Sequence, residues 1–505
     1  MTSAKYSVSQ RSTPLAESEG EVDLLDDIIN KTHAIRLESD RSMLRGQIDL
    51  LIKDATSGVL TLSSDLVGSI EERIAYIDQQ LSQQISLILQ SSEVQKIESS
   101  WRGLHQLVHG CTTENSQIRL LNCTKKELLR DFKTSSDFDQ STLFKCIYES
   151  EYGTFGGDPY STFIGDFEFD ALPEELYLLE QISHVAAAAH APFLTAAAPG
   201  MFSMESFSEL SRPRDLEKLF ETSEYARWKS FRNSEDSRYV ALTLPRVLGR
   251  LPYGAKTEQA QSFCFEERIA EGNVDRSYLW INASYALAGR LIDAFEMHGW
   301  CAAIRGVEGG GLVTALPTYN YVSASGERVA QCPTQVAISD RREKELAEQG
   351  FIPLIHCKGT DYAVFFAVQS ANKPRKYDSP RANANARLSS QLQYILTTSR
   401  FAHYLKIIVR DKVGSFMSSS ECQVFLQKWI NQYVVGSDDV GPTIKASHPL
   451  REATIEVVDV PGAPGTYRAV AYLRPHFQLE GLSMSLRLVA ELPVSSGAEN
   501  LPMDS

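Results

Sequence analysis

Between residues 70 and 108 the apolar side chains recur at steps of three and four, which commits the front of the chain to helix packing. Ile70, Ile74, Ile77, Leu81, Ile85 and Leu89 lead, and Val94, Ile97, Trp101, Leu104 and Val108 continue in strict 3-4-3-4 order. Such a seam belongs to a helix laid against another helix. Spacing leaves open whether that second helix is part of this chain's core or of a partner. A shorter amphipathic helix, over 21–36, precedes the tract. Ser18-Glu19-Gly20-Glu21 offers it a capping box. Leu24 and Ile28, like Leu25 and Ile29, then share one face, and Asp23, Asp26 and Asp27 favour the positive end of the helix dipole.

The far end has the opposite period. Leu482, Met484, Leu486, Leu488, Ala490 and Leu492 alternate with Ser483, Ser485, Arg487, Val489 and Glu491. Residues 453–460 and 467–473, from Tyr467 to Leu473, alternate too, and Pro461-Gly-Ala-Pro-Gly465 between them is a turn by composition. Helices followed by antiparallel strands make a compact α+β C-terminal module. From 118 to 368 the pattern is mixed α/β. Ile118-Arg-Leu120 starts a short strand, Thr124-Lys-Lys-Glu127 caps a helix, 277–299 is a buried helix and 362–368 an internal strand. Residues 181–204 carry no Asp, Glu, Lys or Arg, but Pro192 and Pro199 break them, so they read as a buried, interrupted helix rather than a membrane span. The fold class is thus α+β with a mixed α/β middle. Residues 1–60 form an acidic tail with its helix, 61–370 the large middle domain, and 371–505 the C-terminal module.

Charge narrows the partners. The formal net charge of −14 disfavours nucleic acid, which needs a concentrated positive footprint. Residues 371–412 nevertheless hold nine basic side chains against two acidic ones, so Arg387, Arg400, Lys406 and Arg410 form a candidate docking stripe. The first twenty residues lack the apolar core of a signal peptide, and eight cysteines lie scattered. Both point to reduced thiols in the cytoplasm, with no insertion into a membrane.

Chemistry finds no foothold. Gly306-Val-Glu-Gly-Gly-Gly311 and Gly254-Ala-Lys-Thr257 lack the spacing of phosphate-binding loops, so tight turns are expected. His105, His109, Cys111 and Cys123 are ligand types for zinc, without the closed spacing of a structural site. Asp166, Glu168 and Asp170 alternate with Phe167 and Phe169, which reads as a solvated or partner-facing acidic strand edge. Gly-x-Ser-x-Gly, His-Glu-x-x-His and Cys-x-x-Cys are absent. The expectation is no catalytic residue, no cofactor and no metal; the rival is a cytosolic enzyme with an unfamiliar site, which would show turnover.

Several blocks then carry a resemblance. Trp101-Arg-Gly-Leu104, Glu151-Tyr-Gly-Thr-Phe-Gly-Gly-Asp-Pro159, Arg250-Leu-Pro-Tyr-Gly254, Ser399-Arg-Phe-Ala-His-Tyr-Leu-Lys406 and Ala471-Tyr-Leu-Arg-Pro-His-Phe-Gln-Leu-Glu-Gly481 resemble, in order, the large sheath subunit of type VI secretion systems (TssC, VipB or EvpB). The resemblance implies a structural protein, paired with a small subunit (TssB or VipA) and stacked with its own copies into a contractile helical sheath. That sheath would enclose a tube of Hcp rings, join a baseplate in a membrane-anchored apparatus, and be dismantled by the ATPase ClpV. It further implies that Leu24, Leu25, Ile28 and Ile29 form the ATPase's handle. Arg387, Arg400, Lys406 and Arg410 would face the tube or neighbouring subunits. The strands bearing Tyr467, Leu473, Leu482, Met484, Leu486, Leu488 and Leu492 would join sheets between subunits.

Overall fold

The computed structural model describes residues 43, 45–50, 53, 66–212, 214–254, 263, 265–267, 277–318, 320–322, 328–330, 332–413, 415, 418–437, 439–460 and 467–476. The expected helix over 21–36 and the alternating segment 482–492 lie outside them. The chain divides into two compact units, residues 1–87 with 253–268, and residues 88–252 with 269–505.

The expected tract over 70–108 resolves into two helices, α1 (Leu66–Leu89) and α2 (Ser92–Gly110). The break has a local cause. Ser91 is extended and its hydroxyl donates to the Ile88 carbonyl, competing with the helical ladder. In α1 the apolar seam faces outward: Ile70, Ile74, Ile77 and Leu81 are exposed, while Ser82 and Ser86 are buried. In α2, Gly103 and Leu107 are buried and Ile97, Trp101 and Val108 are exposed.

The second unit is organised on a parallel sheet of β1 (Phe163–Phe169), β2 (Phe193–Ala197), β3 (Val240–Leu244) and β4 (Ile352–Pro353), in that order. Both faces are covered, as parallel sheets require. Phe193, Ala197, Val240, Leu242 and Leu244 enter one core, with Leu179, Ile182 and Val185. Leu194, Ala241 and Ile352 enter the other, with Ala283, Leu287 and Leu291. Three helices supply side chains to these cores. Helix α3 (Lys125–Thr134) opens with the expected capping box of Thr124 and Glu127. Helix α4 (Pro173–Ala188) starts on Pro173, and α5 (Ala283–His298) runs from Asn282 to Gly299, whose φ of 74° closes it in the left-handed region.

Four expectations are corrected. No strand forms at 118–120; Leu120 is exposed in irregular chain. The stretch 181–204 is α-helix only to Ala188; β2 follows, entirely buried, and a 3-10 turn at Pro199–Phe202 comes after it. Of 362–368 only Ala363–Val364 is strand, although Phe365 and Val368 are buried beside it. The acidic face of β1 is not a solvated edge. Glu168 is bound to Arg246, and Asp166 is hydrogen-bonded to Ser100 and Tyr285. Burial pushes the Asp166 carboxyl up and that of the Tyr285 phenol up as well.

The C-terminal part of this unit holds α6 (Pro380–Leu388), α7 (Leu392–Asp411) and α8 (Ser419–Ile430). The antiparallel pair β5 (Leu450–Asp459) and β6 (Tyr467–Pro475) follows. Ala453, Ile455 and Val457 of β5 pack with Phe401 of α7 and with Leu426 and Ile430 of α8, while Ala471 and Leu473 of β6 lie against the same core. Trp300, just beyond α5, joins that core: its ring stacks on Phe401 at 4.2 Å between centres.

Candidate assembly surface

The two edges of the β5–β6 pair are not equivalent. Ala453, Thr454 and Ile455 of β5 pair with Leu473, Tyr472 and Ala471 of β6. On the opposite side of β5 the Gln427 amide of α8 substitutes for a strand: its nitrogen donates to the Ala453 carbonyl at 2.9 Å, and its oxygen accepts from the Ile455 amide at 2.9 Å. Val435 donates to the Leu450 carbonyl at 2.9 Å. The outer side of β5 is therefore closed from Leu450 to Ile455. Strand β6 has no second neighbour among the described residues. By the alternation of an antiparallel ladder, the peptide groups of Ala469, Ala471 and Leu473 point outward from it.

Beside that edge lies a groove of about 340 Å³ bordered by Leu405, Lys406, Val409, Leu426, Ala469 and Ala471. The small side chains of Ala469 and Ala471 leave it open. On the other face of the pair, Val458 and Tyr472 are half exposed.

The basic residues are placed as follows. Arg387 is exposed in the last turn of α6. The other three sit on α7, over aromatic rings. The Arg400 guanidinium lies 4.7 Å from the Tyr404 ring centre. Lys406 Nζ lies 3.4 Å from that of Tyr152 and 4.9 Å from that of Tyr148. Arg410 donates to the Thr154 carbonyl at 2.6 Å and lies 5.2 Å from the Phe155 ring. Tyr148 and Tyr152 belong to a π-helical segment, Lys145–Tyr152. Burial pushes the Tyr152 phenol up to about 12, so it stays a neutral ring under the ammonium. Charge counting located these cations but carried no signal for the rings beneath them.

Next to Lys406 two histidines are enclosed. His403 is fully buried and bonds the Ala189 carbonyl through Nε2 at 2.9 Å; His190 Nδ1 lies 3.2 Å from the Tyr239 hydroxyl. Burial pushes the His403 imidazole down to about 4 and lowers that of His190. Both rings are neutral at pH 7.

Other candidates resolve plainly. The His105 and His109 rings lie 4.0 Å apart on α2, and among the described residues no group of three ligand side chains could hold a metal ion. The glycine loop spends its amides internally: Gly306 donates to Phe365, Gly311 to Gly306 and Arg305 to Gly309. Gly306 and Gly310 have φ of 73° and 86°, which glycine alone adopts without strain. The expected tight turn is what forms. No described helix is long and apolar enough to cross a membrane. Leu24, Leu25, Ile28, Ile29, Leu482, Met484, Leu486, Leu488 and Leu492 lie outside the described residues.

The family described as "EvpB/VC_A0108, tail sheath N-terminal domain" matches residues 71–372, and "EvpB/VC_A0108, tail sheath gpW/gp25-like domain" matches 381–492. The type VI secretion system sheath protein TssC1 of Pseudomonas aeruginosa is 48% identical over 468 residues, covering 92% of this chain and 94% of that protein. Among solved structures, the anti-feeding prophage baseplate aligns over 74% of this chain and 84% of its own at 10% identity and a TM-score of 0.36. The contracted anti-feeding prophage sheath aligns over 61% and 66% at 11% identity and a TM-score of 0.32. The assignment rests on the sequence matches, which span both parts of the second unit: the chain belongs to the EvpB/VipB tail-sheath family and is a structural sheath subunit of a type VI secretion system.

Proposed function

We propose that this subunit co-polymerises with a small sheath subunit around an Hcp tube in the cytoplasm, and that copies are joined by strand addition at the outer edge of β6. The single observation that supports the joint is the asymmetry of the β5–β6 pair, with Gln427 closing one edge and no second strand among the described residues along the other. An open edge is an aggregation hazard unless a specific strand fills it. An incoming strand with the alternation of Leu482, Leu486 and Leu488, supplied by a neighbouring copy, would lay its apolar side chains over the groove at Ala469 and Ala471. Main-chain bonds would hold the joint while the subunits rotate, so contraction needs no turnover by this chain.

Truncation after Gly481 tests the joint: soluble heterodimers should form without sheaths. Full-length contractile sheaths from the truncated chain would sink it. Leu25→Ala with Ile29→Ala should leave assembly intact and stop disassembly by a ClpV-type ATPase; failure to fold would make these residues core instead. Reversing charge at the exposed Arg387 should weaken tube co-polymerisation and its salt dependence if α6 faces the tube. Unchanged salt dependence would assign the basic stripe to contacts between sheath subunits.

A further inference from the structure

After Val368 the chain makes an excursion and comes back to the same place at Leu392. The Leu392 amide donates to the Val368 carbonyl at 3.0 Å. Ser370 donates to the Ser390 carbonyl twice, from its amide at 2.9 Å and from its hydroxyl at 2.6 Å. Both serines are fully buried, whereas no residue of 373–389 is buried. Helix α6 lies within this excursion and has nine residues. Isolated helices below about 12–15 residues are marginal in water, and this one buries no face that would compensate. Its order has to come from its ends.

Both ends are tied. Downstream, the Ser390 hydroxyl donates to the Arg387 carbonyl at 2.7 Å. Upstream, the Asn383 side chain accepts from the Tyr377 amide at 2.6 Å and donates to the Tyr377 carbonyl at 2.8 Å. The upstream root goes deeper. The Ala371 amide donates to the Val240 carbonyl of β3 at 2.9 Å, and the Lys373 amide to the Arg232 carbonyl at 2.8 Å. Asn372, buried, donates from Nδ2 to the Ser234 carbonyl at 2.7 Å and to the Ser237 hydroxyl at 3.0 Å. Arg232, only 5% exposed, spends its fork on neutral acceptors. Nε donates to the Ala371 carbonyl at 3.0 Å, Nη1 to the Gln349 side-chain oxygen at 3.0 Å and Nη2 to the Glu348 carbonyl at 2.7 Å. Glu348 ends the helix Asp340–Glu348, so the negative end of that helix faces the guanidinium. Burial lowers the guanidinium to about 10, which leaves it charged at pH 7.

We infer that Arg232 and Asn372 form a latch on which the order of α6 depends. With the latch shut, the excursion is pinned at both roots and helix formation has less chain freedom left to remove. With it open, α6 melts locally while the rest of the unit stays folded. The exposed Arg387 therefore has a fixed place only while the latch holds. The device belongs to this chain alone and does not rest on the sheath reading.

Hydrogen exchange of the full-length chain, read by mass spectrometry on peptides spanning 380–389, tests the latch. Arg232→Met removes all three donors at similar side-chain length, and Asn372→Ala removes the amide without touching a charge. Each should speed exchange in α6 at least about 10-fold, while peptides from β2 and α5 change less than about 2-fold. Glu235→Ala removes only the surface contact of Glu235 with Arg375 at 3.8 Å, and should leave α6 within about 2-fold. Unchanged exchange in α6 with the latch variants overturns the inference, and so does opening that spreads to β2 and α5. Where Arg232→Met fails to fold, Asn372→Ala decides between these results. Conversely, Ala384→Gly with Ala386→Gly melts α6 from within, and should lower the melting temperature by less than about 2 °C. A larger loss would make α6 part of the cooperative core and overturn the inference.

Discussion

Lys406 Nζ sits 3.4 Å from the centre of the Tyr152 ring, so α7 is held to the π-helical segment by a cation on an aromatic face. Contacts of this kind are worth roughly 0.5–2 kcal/mol, more when shielded from water. A double-mutant cycle of Lys406→Met and Tyr152→Leu in urea unfolding should give a coupling of about 1 kcal/mol. Strict additivity would show that the ammonium is held by water instead.

Acid should loosen the same junction. Burial pushes His403 down to about 4 from its ordinary 6.5, outweighing the hydrogen bond to Ala189, with Arg400, His190 and Lys406 adding repulsion. The unfolded chain therefore takes up the proton first. The contribution to stability is complete above pH 6.5 and is lost as pH falls from there toward 4. His403→Gln keeps an N–H for Ala189 and should flatten the melting temperature across that window. An unchanged slope would place the pH dependence elsewhere.

Two glycine substitutions should have opposite signs. In a helix, Gly→Ala ordinarily stabilises by about 0.8–1 kcal/mol. Gly289→Ala in α5, with nothing within 4 Å of the added Cβ, should follow that rule. Gly103→Ala would drive the methyl to 2.4 Å from the Tyr285 ring, and should cost about 2 kcal/mol instead. Thermal unfolding of both variants checks the pair.

Gln427→Ala should strip the outer side of β5, leaving the buried Ala453 carbonyl and Ile455 amide unsatisfied at a cost of about 1–3 kcal/mol. The second opened edge should also make heterodimers aggregate with a rising light-scattering signal. A soluble, fully stable variant would mean that Gln427 contributes nothing to edge protection.

Periodicity made some of this fold legible. The capping box at Thr124 and the alternation of β5 and β6 followed directly from side-chain spacing. Strand β2 was not legible, because both of its faces are buried and five apolar or small residues in a row carry no period. The seam of α2 had a readable spacing but no readable direction: periodicity states that a face is apolar, not what covers it. Gln427 gave no signal, since the backbone groups that it satisfies lie 26 and 28 residues away. The rings under Lys406 and Arg410 are likewise brought in by the fold of the middle segment.

Trp300 has a mechanical consequence. It follows directly on α5, which packs against the parallel sheet, yet its indole is stacked in the core shared by α7, α8 and β5. A pull delivered to β6 therefore passes through β5, Phe401 and Trp300 into α5 by side-chain packing. It need not travel along the connecting backbone at 371–391. A pull applied at the edge of β6 would thus be shared with α5 and the parallel sheet behind it.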